Sequence, residues 1–342
     1  MKIFLLLALA SSSLFAQSVA DPLESLSADD VQQAVALLKS NYARPEALSE
    51  SGLARATLRG LIALNAPGIS IIATSGAGAA PSPFKSEIVN GTVGYLRLGD
   101  LAPNNLGALD GALKTLHEKG INSAVLDLRA TPAAGNFEAA AEVAKRFCAK
   151  GKLLFTLKKS PAKPERIFTS NADPLFQGLL VVLVDADTAG AGEAIPAVLR
   201  AQAQALVVGE KTSGRAFEFA ELPLHGGAIL RVAVAEVALP DDAAISQGVK
   251  PDIAVMMPAS TLDEVLKSEL EQGVTPLTAE SGRARMNEAA LVAGINPEID
   301  AAESAQKNSG KLKTPPLRDT QLQRALDLIT TVRVYDKTRT EK

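Results

Sequence analysis

The chain is poor in the residues that most hydrolytic, metal and cofactor sites require. Its 342 residues include one cysteine and two histidines. A lone Cys148 closes no internal disulfide, so the hydrophobic core must hold the fold alone. Cys148 shares a helical pattern with Phe137, Ala140, Ala144 and Phe147 and reads as a small buried hydrophobe, not a reactive thiol. His117 falls at a helix end and His225 beside the Gly226-Gly227 turn, and neither has the partners of a Ser-His-Asp triad or a zinc site. There is no HExxH, no Walker motif and no GxGxxG, so neither a metal nor a cofactor is expected. The formal net charge is -3 and no basic block precedes the C-terminal tail, which argues against nucleic acid as a partner. No stretch reaches the roughly 18 apolar residues of a membrane span.

What is present is a globular composition, 47% hydrophobic and 21% charged. Residues 1–20 resemble a secretory leader: Lys2 supplies the positive start, Ile3 to Ala10 the apolar run, and Ser18-Val19-Ala20 a small-residue cleavage site, with cleavage after Ala16 as the alternative. The expectation is export, to the periplasm once the leader is removed.

The organising stretch is Leu179 to Phe219. Leu179 to Val184 is an unbroken apolar run, the pattern of a strand buried on both faces. Asp185 to Gly192 is a small-residue turn, Glu193 to Ala203 a helix that tolerates Pro196 near its start, and Ala205 to Gly209 a second buried strand. A loop with Lys211 and Arg215 follows. Many α/β enzymes present a nucleophile on such a strand, turn and helix. This turn has neither Ser nor Cys.

Around that stretch the periodicity divides the chain. Residues 21–74 read as an N-terminal helical segment, with a capping box at Ser27 and Asp30 and apolar faces at Val31, Val35, Leu38 and at Leu53, Leu58, Leu61. Residues 75–89 read as a linker. Residues 90–258 alternate strands (92–98, 124–128, 153–157, 228–235, 253–256) with helices, which predicts right-handed βαβ units. Residues 158–174 read as a polar excursion. Residues 259–342 read as a partly loose helical extension, with helices over 261–271 and 319–332 and a charged tail, Asp336 to Lys342, expected to fray.

The order of motifs VGYLRLGDL, AVLDLRATPAAG, LLVVLVDADTAGAGEAI, ALVVGEKTSGRAF and QGVKPDIAV resembles the C-terminal processing, or tail-specific, serine peptidases. The resemblance covers about Thr92 to Met257 and implies an α/β fold with a crotonase-like, Clp-protease-like core. That family usually carries a PDZ domain between helical segment and core, and residues 75–89 are too few for one.

The resemblance also places the catalytic positions. The family's nucleophile motif, Ser-Ala-Ser-Ala-Ser-Glu, reads Thr188-Ala189-Gly190-Ala191-Gly192-Glu193, so the nucleophile position is Gly190. The Lys of Phe-Gly-Lys-Gly corresponds to Arg215, at the family's spacing from Gly190. The Gln that follows corresponds to Phe219. The Asn-Pro-Gly-Gly turn that supports the oxyanion reads Thr131-Pro132-Ala133-Ala134, while Asp127 and Arg129 persist before it and read as a structural ion pair.

These replacements remove chemistry. Glycine cannot attack, arginine keeps its proton near neutral pH, and phenylalanine cannot orient a partner by hydrogen bonding. The reading is an exported, catalytically inactive homologue that binds an extended peptide or partner protein in the former substrate cleft. The alternative is an active serine-type peptidase with a displaced Thr188–Lys211 dyad.

Overall fold

The computed structural model describes residues 26–44, 48–73, 82–129, 131, 135–159, 164–241, 243–278 and 317–340, the last four by backbone only. The leader and the whole 281–316 stretch lie outside the described residues. The chain divides into two units at Leu64.

The first unit contains α1 (Ala28–Asn41) and α2 (Glu50–Leu64). The capping box forms as its spacing predicts: Ser27 Oγ accepts from the Asp30 amide at 3.2 Å, and the Asp30 carboxylate accepts from the Ser27 amide at 2.9 Å. Neither helix buries a residue, although both are amphipathic.

The second unit holds two sheets. One has six strands in the order β11-β8-β7-β4-β3-β2: β2 (Lys85–Val89), β3 (Val93–Arg97), β4 (Ser123–Asp127), β7 (Leu179–Val184), β8 (Leu206–Gly209) and β11 (Ile253–Ala254). All neighbours are parallel except β2 and β3. The helices α3 (Pro103–Glu118), α4 (Phe137–Lys145) and α5 (Ala191–Ala203) lie in the intervals between its parallel strands. The other sheet is antiparallel: β1 (Ile69–Ala73), β10 (Ala228–Ala238), β5 (Leu153–Lys159) and β6 (Arg166–Thr169) in that order, with β9 (Phe217–Pro223) also on β10.

The second sheet and the antiparallel strand β2 of the first depart from the expectation of βαβ units alone. Strand β1 falls in the segment read as helical, β2 in the segment read as linker, and β6 in the polar excursion. They are short, and β1, β2 and β6 are edge strands, where exposure dilutes the apolar signal. Lys85, Glu87 and Arg166 are charges of the kind that blunt an open edge.

The central strands read as continuous apolar runs because both faces are covered. Along them residues alternate in destination. Leu126, Val182 and Val184 join α3, α4 and α5 in one core. Val125, Val181, Leu183 and Val208 meet Leu322, Ala325, Leu326 and Ile329 in another. Those last four belong to α7 (Thr320–Thr340), which therefore forms the opposite layer. The helix runs through Thr340, so most of the tail expected to fray from Asp336 continues the helix. The remaining helix, α6 (Ala259–Gln272), packs Leu262, Val265 and Leu266 into a small third cluster.

A buried polar network ties α6 and α7 to the sheet. Arg129 is 1% exposed. Its guanidinium reaches Asp127 at 2.5 Å and Asp319 at 2.7 Å, and it donates to Gln321 at 3.2 Å. Tyr95 donates its hydroxyl to Asp127 at 2.7 Å. Burial pushes the Asp127 carboxyl up, but the Arg129 charge and hydrogen bonds from Arg129 and Tyr95 outweigh it and hold it low.

Glu269 of α6 behaves oppositely. Burial and the Asp127 charge raise its pKa to about 7, although Arg97 lies at 3.2 Å. Charge balance agrees: Arg97 and Arg129 are already offset by Asp127 and Asp319, so an ionised Glu269 leaves an excess negative charge in a dry site. Between its ordinary 4.5 and about 7 the unfolded chain has lost this proton while the folded protein keeps it. Stability from this group is therefore complete below that window and falls as pH rises through it, by up to about 3 kcal/mol. The Asp127 contribution is lost only at lower pH. We expect urea midpoints to fall from pH 5 to pH 8, and Glu269→Gln to flatten that slope. An unchanged slope in the variant would assign it to another group.

Candidate functional site

Strand β7 ends at Val184 and the chain turns into α5 through residues 185–190. The turn is built by Asp185 and Thr188. The Asp185 carboxylate accepts from the Thr188 amide at 2.7 Å, and the Thr188 hydroxyl lies 2.8 Å from that carboxylate and 3.0 Å from the Leu128 carbonyl. Thr188 is fully buried. Its hydroxyl is thus committed to holding the turn against the end of β4.

Gly190 is the N-cap of α5, at φ 60° and ψ −131°. An L side chain adopts such a backbone only under strain, which is how a strand-to-helix turn exposes a nucleophile. Here the turn keeps the shape and carries no side chain. The helix that follows points its positive dipole end toward this position, while the Gly192 and Glu193 amides are already bonded to the Ala189 and Gly190 carbonyls at 3.1 Å.

Glu193, one turn into α5, organises the facing loop. Fully buried, its carboxylate accepts from the Thr212 hydroxyl at 2.6 Å, the Ser213 hydroxyl at 2.8 Å, the Gly214 amide at 2.8 Å and the Arg215 amide at 2.7 Å. Four donors on one carboxylate fix where Arg215 leaves the backbone. The loop is also held from behind, where Thr212 Oγ1 accepts from the Val249 amide at 2.7 Å. Gly248 permits this close approach: at φ 85°, a Cβ there would lie 2.5 Å from the Thr212 carbonyl oxygen.

Of the two acids near Arg215 in the motif, Glu193 does not pair with its guanidinium. The structure uses the Arg215 amide instead. The other, Glu218, is held by Arg166 at 2.5 Å and Lys159 at 3.2 Å. The Arg215 side chain is exposed and, among the described residues, makes no ion pair.

Gly190, Arg215 and Phe219 line one cleft of about 400 Å³. Phe219 lies on β9, its ring 6.0 Å from that of Phe217, with the Arg231 guanidinium 4.2 Å from its centroid. Gly135, which follows the Thr131-Pro132-Ala133-Ala134 turn in sequence, also lines the cleft. Of that turn only Thr131 is described. It is buried, and its hydroxyl has no hydrogen-bond partner.

Lys211 is exposed, and no hydrogen bond joins it to Thr188 among the described residues. Cys148 is buried and its thiol is pushed up to about 11 by desolvation. A larger cavity of about 1000 Å³ lies away from the turn and includes Ser123, His117 and Asp110. No hydrogen bond links those three, and Asp110 is engaged by Arg146 at 2.8 Å. Among the described residues no three His, Cys, Asp or Glu side chains group to hold a metal, and no helix is long and apolar enough to cross a membrane.

Residues 92–255 match the model of peptidase family S41. The chain is 31% identical over 175 residues to a carboxyl-terminal-processing protease of Synechocystis sp., covering 51% of this chain and 40% of that one. It is 31% identical over 177 residues to the chloroplastic carboxyl-terminal-processing peptidase 1 of Arabidopsis thaliana, covering 50% and 36%. The chain thus spans about two fifths of the length of these relatives. In three dimensions it is similar to a candidate peptidase from Parabacteroides merdae, with TM-score 0.53, 14% identity, and coverage of 76% of this chain and 92% of that one. That likeness concerns the fold.

Proposed function

We propose, from the match of residues 92–255 to peptidase family S41, that the chain is a non-catalytic relative of the C-terminal processing peptidases that holds an extended peptide or partner protein beside Gly190. The observation that carries this is the pairing of an intact turn with an empty one. The backbone at residue 190 keeps a nucleophile-presenting conformation that would strain any L side chain, yet it faces an arginine across an open cleft. Neither group transfers a proton or attacks a carbonyl near neutral pH. Backbone recognition survives that loss. Among the described residues β9 pairs only with β10, so its other edge offers amides and carbonyls to an added strand. Lys2, the short apolar run after it and the small residues before Asp21 favour action outside the cytoplasm. With so few residues between α2 and β2, substrate capture by a PDZ domain is not part of this reading.

The displaced Thr188–Lys211 dyad is the competing reading. It asks a buried hydroxyl already bonded to Leu128 and Asp185 to meet a solvated lysine. The purified protein should leave an unfolded protein substrate uncut and should not react with a serine-directed fluorophosphonate. Cleavage that disappears in Lys211→Ala would replace the binding reading with the peptidase one.

A further inference from the structure

Resting on the peptide-binding reading, we propose that the cleft at Gly190 is a carboxylate seat: it selects extended peptides that place a carboxylate between Arg215 and Arg231. The cleft holds charge that the fold leaves incompletely paired. Two guanidiniums line the cleft with two carboxylates, Glu218 and Glu221. Glu218 is occupied by Lys159 and Arg166. Glu221 makes only a long ion pair with Arg231 Nε, at 3.9 Å, and among the described residues that buried Nε has no hydrogen-bond partner. Glu193 supplies nothing to the cleft, since four loop donors saturate it. Arg215 is left with no counter-ion among the described residues.

A guanidinium offers a planar fork of donors that matches a carboxylate, and two forks in one cleft favour an anion over a neutral amide. The missing side chain at Gly190 leaves room beside the α5 N-terminus, whose dipole adds to the same preference. Phe217 and Phe219 give the peptide's neighbouring side chains an apolar wall. In this arrangement the position where a peptide bond would be attacked becomes a place where an anion rests. The carboxylate can come from an Asp or Glu side chain or from a chain end.

The test uses four fluorescent short peptides of one Val/Ser/Ala sequence, carrying a central Glu or Gln and a free or amidated C-terminus, titrated with the full protein and with Arg215→Ala. Arg215 is exposed and its amide is retained, so the variant keeps the Glu193 contacts. Anisotropy should show at least about tenfold tighter binding of one or both acidic forms over the doubly neutral peptide, consistent with a charge-assisted bidentate contact. In Arg215→Ala the preference should fall below about twofold. The Glu and free-end arms identify the source of the carboxylate. Equal binding of all four peptides, or a preference surviving in Arg215→Ala, overturns the carboxylate seat while leaving peptide binding intact. Failure of all four to bind overturns the peptide-binding reading and this inference with it.

Discussion

Arg129→Ala should lower stability by about 3–5 kcal/mol, the cost of removing one partner from a buried ionic group. The side chain is a central cation in the layer between sheet and α7. Without it Asp127 and Asp319, both fully buried, lose the cation they share. Two desolvated carboxylates at that distance cannot both stay ionised, so the variant must take up a proton or admit water. The effect should reach α7 first, because Asp319 also accepts from the Leu322 amide at 2.9 Å and so caps that helix. For a unit of this size the melting temperature should drop by roughly 10 °C. Adding Asp319→Asn to the variant should recover part of the loss by removing one orphaned charge. A loss under about 1 kcal/mol would show that the apolar seam of Leu322, Leu326 and Ile329 holds the layer unaided.

The parts of this fold that could be read from sequence are those where one physical signal dominates. Strands β4, β7 and β8 are apolar on both faces, and α3, α5 and α7 repeat at helical spacing, so burial itself is written into the order of residues. Strand β9 shows why other parts were missed. Phe217-Glu218-Phe219-Ala220-Glu221 alternates as a strand does, but it follows directly on a loop with catalytic meaning and was absorbed into it. The site divides in the same way. Gly190, Arg215 and Phe219 follow from the family resemblance once its motif is anchored on Glu193, and all three line one cleft. The work of Glu193 was not found. Matching side chain to side chain pairs it with a guanidinium, whereas its real partners include two backbone amides, which no sequence displays. The buried bridge from Arg129 to Asp319 spans most of the core and has no local signature.

Gly190→Ser alone should remain inactive, while Gly190→Ser with Arg215→Lys and Phe219→Gln should regain slow hydrolysis of an unfolded substrate. A serine at φ 60° would be strained by about 1–3 kcal/mol, which the stability of a domain can absorb. Its hydroxyl would then stand in the cleft facing Arg215. That guanidinium holds its proton, so the single variant has a nucleophile without a base. In the best-measured serine peptidase, loss of the base alone costs a factor of about 10⁶, so the difference between the two variants can approach that size. A lysine at the same position starts from the fixed Arg215 amide and loses its proton more readily as a bound substrate excludes water. The glutamine supplies a polar partner where Phe219 supplies only a ring against Arg231. What the triple variant cannot restore is the Asn-Pro-Gly-Gly turn, replaced here by Thr131-Pro132-Ala133-Ala134, and this sets the recovered rate well below that of a complete site. Clear cleavage by the single variant would mean that some group other than Arg215 takes the serine proton, and the account of this arginine as the end of catalysis would fail.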